Sequence, residues 1–425
     1  MYQSASYTMT SGPHMLILFG VVVFLVVVAW NVWLTYVQVL FLKNATWTLL
    51  EIRPPQDVFK SPLAMELVLN ALQAGGQSGE FHNKYWGGDL SLWYSLEIVS
   101  IEGSVRFYIR TPEKFKKNIT AQIYAQYPQA EVVEAEDYAQ RVPAYVKNGP
   151  IDVWGTRQIL EKDEIIPIKT YIEYGLDRAV GSLEEEERID PITPMLEFLG
   201  SLGIGEQAWI QILIRPSTKR FTVKKGDKEE TNKAWTDSAR AKIKEIQAGL
   251  KEKDEEGKTV VNKPTRGQTN LIESIERNLN KYAFDCGIRM IYVADKEHYD
   301  KNRTGAFDGT LRQYNGSDLN NFKKEGATGV LYPWQDALGT KVPKMKKDIL
   351  ADYKKRSFFY GGFSFKPEKF FKKLFTTPQK SGGKPFILTT EEIATLFHLP
   401  GRVAATPTFQ RIDAKKAEPP TNLPI

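Results

Sequence analysis

The longest uninterrupted apolar run of the chain lies near its start. From Met15 to Ala29 only apolar residues and Gly20 occur. Apolar character then continues past Trp30, Trp33 and Tyr36 to Leu42, broken by Asn31, Thr35 and Gln38, with no charge before Lys43. Twelve residues between Leu16 and Val28 are Leu, Ile, Phe or Val, which at roughly −0.3 to −0.6 kcal/mol each favours membrane insertion by about 4 to 7 kcal/mol. The pattern predicts a transmembrane helix over 15–42 behind a short segment 1–14. A cleaved signal peptide would call for a basic stretch before the apolar run, and residues 1–14 hold no Lys or Arg, so a retained anchor is expected. Lys43, Arg53 and Lys60 follow the run while nothing basic precedes it. The positive-inside bias then places the N-terminus outside and the body in the cytoplasm of a single-pass protein. Trp30, Trp33, Tyr36 and Trp47 are expected at the inner headgroup level.

Beyond Lys43 the apolar spacing changes to that of a soluble α/β body. In a juxtamembrane segment, 43–80, Arg53-Pro54-Pro55 stops any continuing helix, and Ser61-Pro62 starts a short one to about Leu72 before a Gly-rich loop. A first α/β unit, 81–200, opens with alternation from Ser91 to Ser100, a turn at Glu102-Gly103 and a returning strand Val105–Arg110. Thr111-Pro112 then starts a helix with Phe115, Ile119, Ile123 and Tyr127 on one face, followed by a strand at Ala130–Val133. A second unit, 201–335, repeats a related order: a strand over 208–216, a helix over 270–284 and a strand over 288–293. Ile109-Arg110-Thr111-Pro112 parallels Ile214-Arg215-Pro216, and Ala135-Glu136-Asp137 parallels Ala294-Asp295-Lys296. The fold class expected is α+β: one transmembrane helix followed by a body of duplicated ferredoxin-like β-α-β units. A charged insertion, 217–267, interrupts the second unit, with a polar helix over 233–252 expected to face solvent or a partner. The last region, 336–425, holds a basic and aromatic segment, a short helix and an extended Pro-rich tail.

Composition adds little beyond bounds. The 425 residues, 42% hydrophobic and 25% charged, suffice for two or three domains. The single cysteine, Cys286, permits no intrachain disulfide, which suits a reducing compartment and a small buried hydrophobe. Catalytic patterns are missing. Ser381-Gly382-Gly383-Lys384-Pro385 fails as a phosphate loop, because Pro378 stands where the first glycine belongs and Pro385 where the magnesium-binding hydroxyl belongs. His14, His82, His298 and His398 lack metal-ligand spacing, and no G-x-S-x-G elbow occurs. A non-enzyme without a cofactor is expected.

Two segments carry candidate contacts. Between Lys341 and Lys373 eleven basic residues face three acidic ones, with Phe358, Phe359, Tyr360, Phe363, Phe365, Phe370 and Phe371 interleaved. Lys346, Lys347, Lys354, Lys355, Arg356, Lys372 and Lys373 could grip nucleic acid or an anionic leaflet. They could equally form a solvated face over aromatics that belong to the core. Near the end, Thr389 or Thr390 can cap a helix that puts Ile393, Leu396 and Phe397 on one face. Glu391, Glu392, Leu396, Phe397 and His398 are there either core or a docking surface.

The stretches Glu51–Pro62, Ile98–Pro112 and Gln207–Pro216, and above all Phe386–Gly401, resemble the membrane-proximal half of type IV secretion and conjugation ATPases of the HerA and FtsK superfamily. Such regions are themselves domains of unknown function. In fused relatives the Glu391–Pro400 pattern and a Pro-Pro-x-Asn-Leu-Pro segment lead into the ATPase module, whereas here the sequence stops at Pro419–Ile425. The resemblance implies a split gene with the motor on another chain, or a chain cut before it. The function it implies is a membrane anchor and adaptor for a DNA- or protein-translocating ATPase. Its partners would be lipids, a separate HerA/FtsK-type ATPase, DNA and a second copy of itself. A membrane-tethered nucleic-acid-binding module is the alternative.

Overall fold

The computed structural model describes residues 6–55, 60–75, 81–177, 189–217, 221–225, 228–253, 259–261, 263–330, 332–359 and 383–401. The chain divides into two compact units. In the first, α1 (Ser6–Asn44) is a 39-residue helix whose segment from Met15 on is long and apolar enough to cross a membrane. A one-turn helix, α3 (Phe81–Tyr85), belongs to the same unit.

The second unit is built on one antiparallel sheet. Its first four strands are β1 (Trp47–Arg53), β2 (Tyr94–Ile101), β3 (Ser104–Pro112) and β4 (Glu131–Glu134). They are joined through α2 (Pro62–Gly75), the Glu102-Gly103 turn and α4 (Lys116–Gln126). Ser61 caps α2 as its hydroxyl accepts from the Leu63 amide, with Pro62 at the first helical position. A short helix, α5 (Tyr138–Arg141), follows. The next strands are β5 (Ile151–Leu160), β6 (Glu206–Pro216), the hairpin β7 (Phe221–Lys225) with β8 (Lys228–Lys233), and the pair β9 (Lys251–Lys253) with β10 (Thr259–Val261). The sheet continues with β11 (Ala283–Asp295), β12 (Phe322–Glu325) and β13 (Phe386–Thr389). Helices α6 (Thr193–Gly200), α7 (Trp235–Ala248), α8 (Arg266–Leu279), α9 (Lys301–Gly309), α10 (Lys341–Lys355) and α11 (Thr390–Leu396) complete the body.

Strand order in the main sheet is β12-β5-β11-β6-β2-β3-β1-β4, and β13 pairs with the first residues of β11 beside β5. The local marks that suggested a repeat equate β3 with β6 and β4 with β11. Their positions do not match: β4 is an edge strand, whereas β11 lies between β5 and β6. Strand β5 was not foreseen, because its alternation is broken by Gly155, Thr156 and Gln158, all buried or nearly so.

One sheet face is mainly apolar. Leu96 and Ile98 of β2, Phe107 and Ile109 of β3, Ile210 and Ile212 of β6, and Ile288 and Met290 of β11 pack there under α2, α4, α6 and α11. The other face is partly polar and carries Trp209, Tyr138, Ile349 and Tyr353 from β6, α5 and α10. Two expectations are corrected here. Trp47 opens β1, tilted against Trp93 with ring centroids 4.8 Å apart and under the Arg110 guanidinium at 4.3 Å, so it is a sheet residue. Helix α7 does have an apolar stripe: Ala239 and Ile243 are buried with Ile165 and Ile275 of α8, and Trp235 and Ile246 flank them at helical spacing.

Candidate functional site

Strand register lines up a row of polar residues on the partly polar face: Arg157, Arg289, Gln211, Glu97, Tyr108 and Glu51 are cross-strand partners on successive strands. A charge inside a sheet is tolerable only with a partner in hydrogen-bond range, and the end of α10 provides one. Arg356 caps that helix in the left-handed region (φ 49°) and is fully buried. Its guanidinium donates through Nε and Nη2 to both Glu97 oxygens, at 2.8 and 3.1 Å, and through Nη1 and Nη2 to both Asp137 oxygens, at 2.7 and 2.9 Å. Ser95 at 2.5 Å, Tyr138 at 2.8 Å and Gln211 at 3.2 Å also donate to Glu97. Burial opposes ionisation of Glu97, but Arg356 outweighs it and holds the carboxyl below its ordinary value. Arg289 donates to Gln211 Oε1 and to the Asp352 and Ser357 carbonyls, fixing the same helix end. Glu97, Gln211 and Arg289 thus spend these bonds on the end of α10 and clamp it to the sheet.

A second buried polar group surrounds β13 and α11. Thr389 caps α11 in a capping box with Glu392. Glu391 receives Arg277 Nε at 3.0 Å and Thr170 Oγ1 at 2.7 Å. His398 Nε2 lies 3.1 Å from Asp190 Oδ1, and its Nδ1 lies 2.8 Å from the Ala394 carbonyl. Burial works against a charged His398, but Asp190 outweighs it and raises the imidazole pKa.

Burial pushes Glu392 up to about 7. Its Oε1 accepts from the Ile168 amide at 3.0 Å, and its Oε2 from the Thr389 amide at 2.8 Å. When protonated on Oε2, the acid can donate to Thr389 Oγ1 at 2.9 Å, whose own hydrogen reaches Asn278 Oδ1 at 3.1 Å. Between about pH 4.5 and 7 the folded state therefore holds a proton that the unfolded chain releases. Stability should fall by about 3 kcal/mol as pH rises through that window. His398, raised as well, acts in the same direction, its contribution being lost as pH climbs through its folded value. Denaturant midpoints of the detergent-solubilised chain across this range should show the fall, and Glu392→Gln should flatten it. An equally steep fall in the variant would assign the proton elsewhere.

The structure separates the residues singled out from sequence. Glu391, Glu392, Leu396, Phe397 and His398 are all buried. Phe397 meets Phe107 edge-on at 5.7 Å, and Leu396 shares the core with α2. The docking reading of this segment is corrected to core. Of the basic residues, Arg356 is buried in the clamp, Lys346 bridges Asp152 at 2.5 Å, and Lys354 donates to the Val142 carbonyl. Lys347 and Lys355 are exposed, and Lys372 and Lys373 lie outside the described residues. Phe358 and Phe359 are core, as one of the alternatives held.

One surface element was missed. Between β12 and α10, Tyr332 (46% exposed) and Trp334 (71%) stack with ring centroids 4.5 Å apart and planes 6° from parallel, and Leu338 is 85% exposed. The loop is braced from below, because Asp336 accepts from the Thr340, Lys341 and Val342 amides at 2.9 Å each. Lys147 ties in at the Gly339 carbonyl at 2.8 Å, beside the exposed Val146. The signal available was Tyr-Pro-Trp ahead of a helix start, a pattern with no periodicity to mark it. Among the described residues, no group of three or more His, Cys, Asp or Glu is placed to hold a metal ion.

Compared with known protein families, residues 37–411 match a family model described as Domain of unknown function (DUF8128). No curated protein matches the chain.

Proposed function

The chain belongs to the DUF8128 family, and from that premise we propose that it is a non-catalytic, membrane-anchored adaptor. It would hold a separate P-loop ATPase of the HerA/FtsK kind at a membrane, in a type IV secretion or conjugation-like machine that moves DNA or protein. The observation that carries the reading is the Tyr332–Trp334–Leu338 loop. A stacked aromatic pair and a bare leucine, prepaid in conformation by the Asp336 brace, have the make-up of a binding hot spot. The apolar helix α1 supports the anchoring, and the resemblance of Glu51–Pro62 and Phe386–Gly401 to the membrane-proximal part of these motors supports the choice of partner. The sheet order supports reading the body as two ferredoxin-like units, each ordered fourth-first-third-second and meeting along β2 and β6.

A grip on nucleic acid is less well supported. Three of the basic residues named for it are engaged inside the body, and rings already stacked on each other present less face to bases. The basic flank of α1 supports a cytoplasmic body, for which protease added outside intact cells should leave the body whole. Its digestion would reverse the orientation and end the motor proposal.

Pull-down of the detergent-extracted chain should recover a P-loop ATPase. Trp334→Ala should weaken that association about 30-fold or more, roughly 2 kcal/mol, without moving the melting temperature. If no ATPase is recovered the adaptor reading fails. If Trp334→Ala binds as well as the parent, the loop is not where the motor docks.

A further inference from the structure

Helix α1 is longer than any bilayer needs. Its 39 residues extend roughly 58 Å, while about 20 residues cross a hydrocarbon core of about 30 Å. Burial marks where the excess lies. From Met15 to Trp33 nearly every side chain is bare, whereas Leu34, Thr35, Gln38, Val39, Phe41 and Leu42 are half-buried and Val37 is buried.

At the change from bare to covered, the chain returns some fifty positions later. Tyr85 of α3 stacks on Trp30 at 6.1 Å, Trp86 meets Trp30 at 5.8 Å, and Trp33 Nε1 donates to the Tyr85 carbonyl at 3.3 Å. Gly88 makes the approach possible. Its φ is +67°, and a Cβ there would stand 2.3 Å from the Val37 carbonyl oxygen, so the returning backbone presses directly on that of α1. Trp30, Trp33, Tyr36 and Trp86 nonetheless keep between 40% and 55% of their surface bare. Rings packed on one side and open on the other, at the end of a bare apolar helix, suit the boundary between acyl chains and headgroups, where an indole can bury its face and keep its N–H hydrogen-bonded.

We propose that α3 and Trp86 form a second membrane-contact element at the headgroup boundary. The hydrocarbon span is then residues 15–33, and the remainder of α1 from Leu34 stands outside the acyl region. Lipid is the occupant because the bare surface that continues from the rings is a full apolar span, and a protein partner would leave that span still to be covered. The inference concerns α1 and α3 alone and is independent of any ATPase.

The test uses the full chain in lipid nanodiscs, with an environment-sensitive fluorophore on one introduced cysteine. Cys286 is buried, its thiol pushed up by burial, and so does not compete for label. Val26→Cys, Leu40→Cys and Asn83→Cys all fall at exposed positions. Quenching is read with lipids carrying a nitroxide near the headgroup or near the methyl end of the acyl chain. The label at 83 should be quenched by the shallow probe and not the deep one, the label at 26 by the deep probe, and the label at 40 by neither. Gly88→Val should abolish shallow quenching at 83 while leaving that at 26 unchanged. Quenching at 40 as deep as at 26 would extend the span to Leu42 and overturn the boundary. An unquenched label at 83, or a Gly88→Val profile like the parent's, would overturn the role of α3.

Discussion

Replacing Arg356 with methionine should destabilise the body by about 3–5 kcal/mol, because breaking a buried ion pair from one side strands the other charge. Here two charges are stranded. Glu97 is fully buried, and three of its remaining donors, Ser95, Tyr138 and Gln211, are neutral. Asp137 loses two hydrogen bonds and is held at its partly exposed edge by local contacts such as that from the Ala139 amide. The double variant Arg356→Met with Glu97→Met should recover much of the loss, since apolar replacement of a whole buried pair is often neutral. Chemical denaturation of the detergent-solubilised chain measures both. A single-variant cost below about 1 kcal/mol would mean that Glu97 finds solvent, contrary to its burial. The pH response gives a second check. In the parent, Glu97 and Asp137 are held below their ordinary values, so the stability they contribute is present above those values and is lost as pH falls through the folded ones. Without Arg356, desolvation governs Glu97 and raises it, so acidification should stabilise the variant over a range above the ordinary carboxylate value, whereas it weakens the parent below that value.

That clamp shows what the sequence withholds. The alternation of β2 is legible from Tyr94 to Ser100, and so is the turn that returns it as β3. Alternation, however, says only that Ser95 and Glu97 share a face opposite to Leu96 and Ile98. Polar residues at period two ordinarily mean solvent. Here the polar face is closed by a helix some 250 positions later, and Arg356, which reads as one more charge in a basic run, is the group that neutralises it. Lys346 and Lys354 were lost to the same limit, since charge density along the chain does not tell which cations point inward. Local chemistry was more dependable. Ser61 and Thr389 cap the helices that their neighbours predict, and α1 reads directly from its apolar run. The stripe of α7 was hidden because Ala239 counts for little on a hydrophobic scale, yet it is small enough for α8 to pack closely against it.

Phe397→Ala tests the other segment that sequence left between two readings, and it should cost about 3–5 kcal/mol in stability. The ring has no exposed surface and packs edge-on against Phe107. Truncation therefore opens a cavity in the apolar face of the sheet, where β3, α2 and α11 leave little freedom to collapse. Phe397→Leu, which keeps most of the volume, should cost about 1.5 kcal/mol or less, and the difference between the two separates a packing role from an aromatic recognition role. Melting of the full chain gives the stability, and pull-down at a temperature where the variant remains folded gives the partner affinity. A docking residue would lose partner at constant melting temperature. A core residue loses melting temperature and keeps its partner while folded, and the geometry requires that second pattern. The same logic fixes what Phe386–Gly401 does for the molecule. Strand β13 extends the sheet along β11 and α11 packs against α2, with Glu391, Glu392 and His398 each matched to an internal partner. The segment that carries the resemblance is thus the closing piece of the body's own core, and under the adaptor proposal the exposed Trp334 loop is the surface offered to a partner.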